Sequence, residues 1–223
     1  GFVKTRLVPP LTMEEAANLY CFFLKDIFTS IESLDSVDLD YCAAVVPLDD
    51  GDGLLLLESI IPEGVDSFTQ VGATLGDRLY DAFERLFDAG YKRVAVIGSD
   101  SPDLDPELIA KGFTLLKENA GKVVIGPAMD GGYYLIAMDR LDKRAFEDIS
   151  WSTSLVLDET LERLNGSAIL LPRWYDIDRP ADIARLDGST VASLSSTYLK
   201  ECAIFKRCRD YLLKILEERF EEG

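Results

Sequence analysis

The feature that most constrains the fold is the regular alternation of short apolar segments with longer amphipathic ones. The short segments have the length of strands and little apolar–polar alternation, which is typical of strands covered on both faces of a sheet. Strands that alternate with helices predict an α/β domain with a mostly parallel sheet and helices on both faces. The predicted strands are 41–46, 93–98, 122–126, 133–138 and 168–171, and the predicted helices are 13–34, 75–89, 106–119, 153–164 and 180–186.

Local signals mark the ends of several of these helices. Thr12 is a favourable N-cap with Glu15 three residues further on, the pattern of a capping box. Asp105 precedes Pro106, and a proline at the first helical position is common after an acidic N-cap. A loop is predicted at 49–53, where aspartate and glycine alternate.

The sequence changes character after residue 187. Residues 188–196 are small and polar, as linkers are, and 197–220 predict one more helix. We therefore divide the chain into a domain at 1–187 and a linker with a C-terminal helix at 188–223. Two interpretations of that helix stay open: it packs on its own domain, or it forms a homodimer contact.

The net charge narrows the range of partners. The chain has 23 basic and 40 acidic residues, which gives a formal charge of −17. A surface this negative repels a phosphate backbone, so we expect no nucleic-acid partner. Small anionic ligands stay compatible, because local basic residues or a metal ion reverse the sign of the charge within one cleft.

The absence of histidine removes several chemistries. It excludes the commonest general base and the commonest zinc ligand, so we expect any general base to be a carboxylate. The four cysteines show no paired metal spacing and predict reduced, buried thiols of a cytoplasmic protein. No apolar run has the length of a membrane span, and no signal sequence is visible. The cysteines are Cys21, Cys42, Cys202 and Cys208.

The most informative motif follows the predicted strand at 93–98. It places Asp100 and Asp103 three positions apart, with Pro102 holding the intervening backbone extended. Ligands of parallel sheets bind beyond the carboxyl ends of the strands. Magnesium and manganese are held by one or two carboxylates together with phosphate oxygens, so this pair suits a divalent ion on a diphosphate. Capping of the next helix stays open for Asp103, whereas Asp100 lies too far ahead of that helix.

Two further motifs place charge where a phosphate or metal could bind. Lys4, Thr5 and Arg6 offer an ammonium, a hydroxyl and a forked guanidinium to phosphates, although a solvated basic turn explains them equally well. Asp178 follows the last strand-like segment. It could cap the helix that starts near Pro180, or serve as a further metal ligand in the same crevice.

The tripeptide Asp130, Gly131 and Gly132 precedes the predicted strand at 133–138. One interpretation is a hairpin turn, for which this composition is a common signal. The other is a backbone without side chains that a ligand can approach closely, with a carboxylate at its edge. The sequence alone does not separate the two.

Seven motifs occur in one order along residues 1 to about 187. They are Gly1-Phe2-Val3-Lys4-Thr5-Arg6-Leu7, Gln70 with Gly72 and Leu75-Gly76-Asp77-Arg78, Gly98-Ser99-Asp100-Ser101-Pro102-Asp103, Gly126-Pro127-Ala128, Asp130-Gly131-Gly132-Tyr133-Tyr134-Leu135-Ile136, Trp151-Ser152-Thr153 and Asp176-Ile177-Asp178. In this order the chain resembles the bacterial glycosyltransferase family associated with radical-SAM and selenium-domain proteins and linked to arsenosugar biosynthesis. That family belongs to the nucleotide-diphospho-sugar transferase superfamily.

The resemblance implies a single Rossmann-like domain of the GT-A type and a role for each motif. It implies that Asp100 binds the metal, with Asp103 as helper and Asp178 sharing the cleft. It implies that Asp130 activates the acceptor hydroxyl. The nucleotide and its phosphates would be bound by Lys4, Thr5, Arg6, Gln70, Gly72, Gly76, Gly131 and Gly132.

The chain departs from the family pattern at several places. The family usually has an acid at the position of Thr74, a glycine at Ala137 and a threonine at Arg179, which affects details of base or sugar recognition. It also has a strand and a glycine-containing phosphate loop before the residues that match Gly1. We therefore expect residues upstream of this sequence.

The function expected from the resemblance is that of a metal-dependent glycosyltransferase. It would use Mg²⁺ or Mn²⁺, a nucleotide-diphospho-sugar donor and a small-molecule acceptor. A nucleotidyltransferase acting on a nucleoside triphosphate shares the fold and is the nearest alternative. A non-catalytic nucleotide-binding module is the alternative from another class.

Overall fold

The computed structural model describes residues 3–34, 36, 38–46, 57 and 59–221, the side chains of 218–221 excepted. The predicted loop at 49–53 and the first two residues of the N-terminal motif lie outside these ranges. The chain divides into two compact units. The first comprises Gly1–Ile31, Ser99–Leu104 and Asp176–Gly223, and the second comprises Glu32–Gly98 and Asp105–Tyr175.

The described residues of the second unit form six strands in two sheets. β1 and β2 pair in parallel, and the larger sheet has the order β3-β5-β4-β6. β5 runs antiparallel to both β3 and β4, whereas β6 is parallel to β4, so β3, β4 and β6 share one direction. The strands are β1 (Cys42–Val45), β2 (Asp66–Thr69), β3 (Val94–Ile97), β4 (Val123–Pro127), β5 (Tyr133–Met138) and β6 (Ala168–Leu170).

Strand β2 is absent from the sequence-based assignment. Its four residues, Asp66–Thr69, are polar apart from Phe68, and three of the four are exposed. They therefore lack the apolar pattern that marks a buried strand. Pairing with β1, rather than the local sequence, places them in a sheet.

Helices cover both faces of the larger sheet, as the alternation of segments predicts. These helices are α2 (Leu75–Asp88), α3 (Pro106–Glu118) and α4 (Val156–Leu164). On one face, Ile136 of β5 belongs to a buried cluster with Phe83 of α2 and Leu157 of α4. Side chains alternate along a strand, so Leu135 points to the other face, where it lies beside Gly112 of α3.

The first unit is mainly helical. It contains most of α1 (Met13–Glu32), α5 (Ser193–Glu201), α6 (Ile204–Glu221) and the 3-10 turns Thr5–Leu7 and Asp182–Leu186. The single helix predicted at 197–220 is wrong. Ala203 has φ 54, which a right-handed helix does not accommodate, so the helix is interrupted between α5 and α6. The predicted linker is also shorter, because α5 begins at Ser193.

Both C-terminal helices contact α1. The Asp26 carboxylate is 1% exposed and accepts the backbone N–H groups of Leu194 and Ser195 at 3.0 and 2.9 Å. Arg207 of α6 forms an ion pair with Glu15 at 2.7 Å. These contacts attach the C-terminal segment to the N-terminal helix of the same chain, and a homodimer contact stays a prediction.

All four cysteines are free thiols, but the expectation that all are buried is wrong. Cys208 is buried, Cys21 and Cys42 are half-buried, and Cys202 is exposed, since it caps the C-terminus of α5. Within the described ranges, no helix combines the length and the apolar content needed to cross a lipid bilayer.

Candidate functional site

A pocket of about 300 Å³ lies within the first unit. Its walls come from the N-terminal segment, from α1 and from the two segments that follow β3 and β6 in sequence. It therefore brings together three of the eight residues predicted to bind the nucleotide and its phosphates and two of the three predicted metal ligands. The lining residues are Val3, Lys4, Thr5, Arg6, Tyr20, Ser99, Asp100 and Asp178.

Backbone pairing through Ile177 places the two acidic residues side by side. The Ile177 N–H donates to the Asp100 carbonyl at 2.8 Å, and Ile177 itself is fully buried. This bond joins positions 77 residues apart in the chain, so no local sequence pattern predicts it. It brings Asp178 close to Asp100, and both residues line the pocket.

The Lys4 ammonium lies between the two carboxylates. Its Nζ is 2.7 Å from Asp100 Oδ1 and 2.9 Å from Asp178 Oδ1, and it donates to the Ile177 carbonyl at 2.7 Å. The Lys4 side chain is only 5% exposed, whereas the side chains of Asp100 and Asp178 are 46% and 32% exposed. Each carboxylate therefore still presents surface to the solvent in the pocket.

Arg6 is the accessible cation of the pocket. Its side chain is 70% exposed, and its Nη1 lies 3.4 Å from Asp178 Oδ2. Such a long, exposed ion pair contributes little to stability. Most of the guanidinium donors thus stay available to a ligand, and the neighbouring residue Thr5 is exposed as well.

Asp178 does not serve as the helix cap that its position before Pro180 suggests. The Asp182 carboxylate instead accepts the backbone N–H groups of Asp178 and Arg179, at 3.3 and 2.8 Å. The Asp178 side chain faces Lys4 and Arg6. Asp178 thus shares the pocket with Asp100, and its role as a metal ligand stays a prediction.

Tyr20 and Ser99 belong to the pocket but have no role in the sequence-based assignment. The Tyr20 hydroxyl and Ser99 Oγ are 2.8 Å apart, and burial raises the pKa of Tyr20 above its ordinary value. Ser99 could have been found from its place between a strand end and Asp100. Tyr20 carries no such signal, because its position fits the helical spacing of the apolar residues of α1.

The other acids of the same motif have different surroundings. Asp103 is buried at 7% exposure and is not among the residues that line the pocket. Asp105 caps α3, and its carboxylate accepts the Glu107 N–H at 3.0 Å with Pro106 at the first helical position. The prediction for Asp105 is confirmed.

In the second unit, Asp130, Gly131 and Gly132 form a tight turn between β4 and β5. The exposed Asp130 carboxylate accepts the Gly132 N–H at 2.9 Å. Gly131 has φ 95, and a Cβ atom there would collide with the Ser154 backbone. The Gly131 carbonyl accepts the Leu157 N–H at 2.9 Å, which ties the turn to the start of α4. This turn is thus held by backbone packing.

The predicted nucleotide-binding residues of the second unit lie around the start of α2. Gln70 is half-buried and its side chain donates to the Ala44 carbonyl at 2.9 Å. The Gly72 carbonyl accepts Arg78 Nε at 3.2 Å. Gly76 is buried against the Trp151 ring, which leaves no room for a side chain. Packing against Trp151 thus explains why position 76 is a glycine, independently of any ligand.

The oxygens around Lys4 are of the kind that hard cations prefer as ligands. Two carboxylates and one backbone carbonyl converge on a single point, and such oxygens bind Mg²⁺, Mn²⁺ or Ca²⁺ when phosphate and water complete the shell. Among the residues that the structure describes, no group of three or more histidine, cysteine or acidic side chains is arranged to hold a metal. A cation here would therefore need water or substrate oxygens to complete its coordination shell.

Comparison with known proteins extends these observations. Residues 34–153 match the family described as uncharacterized protein conserved in bacteria (DUF2064). A crystal structure from Desulfovibrio desulfuricans G20, provisionally described as a nucleotide-diphospho-sugar transferase, is 30% identical with a TM-score of 0.81. The match covers 95% of this chain and 92% of that one, which confirms the predicted α/β fold class. No curated protein matches the chain significantly.

Proposed function

The chain belongs to the DUF2064 family of conserved bacterial proteins and to the nucleotide-diphospho-sugar transferase superfamily, and from this premise we propose that it transfers a sugar from a nucleotide-diphospho-sugar donor with the help of Mg²⁺ or Mn²⁺. The observation that carries the proposal is the meeting of Asp100 and Asp178 with Lys4 and Arg6 in one pocket. Acidic residues at such a pocket suit a cation, and the basic residues suit an anion.

In this proposal the pocket binds the diphosphate of the donor. Arg6 donates its exposed guanidinium to phosphate oxygens, a bidentate geometry that a lysine lacks. Asp100 and Asp178 would hold the divalent cation, with Asp103, three positions after Asp100, as a helper. When bound, the cation neutralises the charge that develops on the departing nucleoside diphosphate.

The remaining predicted residues complete the proposal. Gln70, Gly72 and Gly76 would contact the nucleotide, and Gly131 and Gly132 would let a ligand approach the backbone. Asp130 would act as the general base for the acceptor hydroxyl, since the chain has no histidine. Support for Asp130 comes from its exposed carboxylate, which uses Oδ1 within the turn.

Nucleotidyl transfer is the second candidate function. The closeness of Asp178 to Asp100 favours it as well, because two acids around one cation also suit the triphosphate of a nucleoside. This reaction would release pyrophosphate, whereas sugar transfer releases a nucleoside diphosphate.

The test begins with the melting temperature of the protein in the presence of Mn²⁺ and individual nucleotides. We expect one nucleotide-diphospho-sugar to raise the melting temperature by several degrees, in a manner that requires Mn²⁺. That donor is then incubated with the protein and candidate acceptors, and nucleoside diphosphate release is measured. Release of pyrophosphate from a triphosphate would replace the first function with the second. Binding without turnover of any donor would indicate a nucleotide-binding module.

A further inference from the structure

The Lys4 side chain has the surroundings of a bound cation. Its ammonium donates hydrogen bonds to the Ile177 carbonyl and Asp178 Oδ1 at 2.7 and 2.9 Å, and it forms an ion pair with Asp100 Oδ1 at 2.7 Å. Three protein oxygens thus surround a group that has three hydrogen-bond donors. The Phe23 ring lies 5.5 Å from the same nitrogen and adds a favourable aromatic contact.

This arrangement limits what Lys4 can do for a ligand. To donate to a phosphate, the ammonium must give up at least one of its three partners and leave a site where it is 5% exposed. Its backbone also adopts the left-handed conformation, with φ 51 and ψ 35, which disfavours a non-glycine residue unless its surroundings hold it there. The contacts with Asp100 and Asp178 supply such a constraint.

A divalent cation at the two carboxylates would need the same oxygens. Magnesium binds oxygen at about 2.0–2.1 Å, so an ion bound to both Asp100 Oδ1 and Asp178 Oδ1 would take the two oxygens that Lys4 Nζ now contacts at 2.7 and 2.9 Å. Two positive charges at such a short distance repel strongly in a partly buried site. The ammonium and a divalent ion therefore exclude each other.

We infer that Lys4 is a built-in cation that holds the Asp100–Asp178 pair in the metal-free protein and is released from it when a divalent ion binds. This inference rests on the proposed function, because it assumes a metal at these two acids. Lys4, Arg6, Asp100 and Asp178 together carry no net charge, and an added divalent ion makes the pocket doubly positive. The freed Lys4 ammonium then becomes a donor for the diphosphate, so metal loading prepares the pocket for the anionic substrate.

The first test uses the unmodified protein without nucleotide. An amine-reactive anhydride labels exposed lysines, and mass spectrometry reports the labelling of each lysine with and without Mn²⁺. We expect Lys4 to react slowly in metal-free protein and about fivefold faster at saturating Mn²⁺. Lys122, whose ammonium donates to the Gly166 carbonyl at 2.8 Å outside the pocket, is the control and should not change. Unchanged or slower labelling of Lys4 would overturn the inference.

The second test compares Lys4→Met with Arg6→Met. Removing the competing ammonium should raise the affinity for Mn²⁺ in the absence of nucleotide about tenfold, measured by calorimetry. Arg6→Met removes an equal charge that is exposed and 3.4 Å from Asp178, so its effect should stay below about threefold. Equal or weaker Mn²⁺ binding by Lys4→Met contradicts the inference, and if that variant does not fold the labelling result decides.

An Asp100→Asn variant separates failure of this inference from failure of the proposed function. If Mn²⁺ does not bind even in the presence of the donor, or binds equally well to Asp100→Asn, both are overturned. If Mn²⁺ binds only together with the donor, the exchange of Lys4 in the free protein is overturned and the proposed function stands. If Mn²⁺ binding depends on Asp100 while the labelling of Lys4 is unchanged, only the exchange of Lys4 is overturned. The role of the acids in holding a metal then stands.

Discussion

The acidic residues that follow β3 and β4 show two different uses of a carboxylate after a strand. Asp100 projects into a pocket, where it forms an ion pair with Lys4 and stays 46% exposed. Asp130 instead accepts the N–H of Gly132 and stabilises its own turn, which is held by close backbone packing around Gly131. Charged side chains define the first region, whereas the second depends on glycines, which have no side chain. We therefore expect substitutions in the first to change ligand binding, and those in the second to change stability.

The largest effect on stability is expected for Gly131→Ala. The new Cβ would meet the Ser154 backbone, and φ 95 is unfavourable for alanine, so we expect a loss of about 3 kcal/mol in the free energy of unfolding. Urea unfolding measures it.

Gly90→Ala is the matched control for this substitution. Its φ is 99, but a Cβ there meets no atom within 4 Å, so only the backbone penalty of about 1 kcal/mol remains. Equal losses of stability at the two positions would show that close packing against the Ser154 backbone adds nothing to the cost of Gly131→Ala.

Asp100→Asn should produce the opposite pattern. The amide keeps the shape of the side chain but removes the charge, so metal-dependent affinity for the donor should fall about a hundredfold, or ~2.7 kcal/mol, with little change in melting temperature. Calorimetric titrations with and without Mn²⁺ measure the loss.

Asp105→Asn is the control, since it removes an acid of the same segment while asparagine is an equally good N-cap. Should both variants bind the donor equally well, the pocket around Lys4 would not be the metal site.

Asp26 provides a second carboxylate in the first unit with which to compare Asp100. It is buried and accepts two backbone N–H groups at the start of α5, so Asp26→Ala should cost about 2 kcal/mol of stability and leave Mn²⁺ binding unchanged. Asp26→Asn retains one acceptor and should cost less. If Asp26→Ala lost no more stability than Asp100→Asn, the expected contrast between the two acids would be wrong.

The stability of the protein should also depend on pH through Asp26. Burial raises the pKa of Asp26 in the folded state above the ordinary aspartate value. Between the two values the folded state binds more protons than the unfolded state, so stability decreases as pH rises through this interval. Asp26→Asn has no proton to release there. A series of urea unfolding curves at different pH values should show the slope in the parent protein and its absence in this variant.

The smallest effect is expected for Thr74→Ala at the start of α2. Thr74 accepts the Asp77 N–H at 3.1 Å and donates its own to the Asp77 carboxylate at 2.9 Å, so the variant loses the hydroxyl half of a capping box. We expect a loss of about 1 kcal/mol in the free energy of unfolding. A loss well above this value would mean that Thr74 makes a further stabilising contact in the folded protein.

Much of the fold and some of the site follow from local sequence patterns. Five of the six strands in the described part of the chain, and the helices α1 to α4, follow from the sequence, because apolar periodicity and capping residues are properties of neighbouring positions. Asp100, Asp105 and Arg6 were likewise found from their place relative to a strand, a helix and a basic turn. The metal, the roles of Asp103 and Asp130, and the association with radical-SAM and selenium-domain proteins stay predictions.

The sequence by itself determined the alternation of strands and helices and the acidic residues that follow the strands, because these signals involve residues a few positions apart. Only the tertiary structure decided that Ile177 pairs with Asp100 and that Lys4 lies between Asp100 and Asp178. Such contacts join segments more than 70 residues apart, and their energy depends on burial and geometry that arise when the chain folds. For the same reason a lysine that suggests a phosphate ligand in the sequence becomes, in the folded chain, the counter-ion of two aspartates.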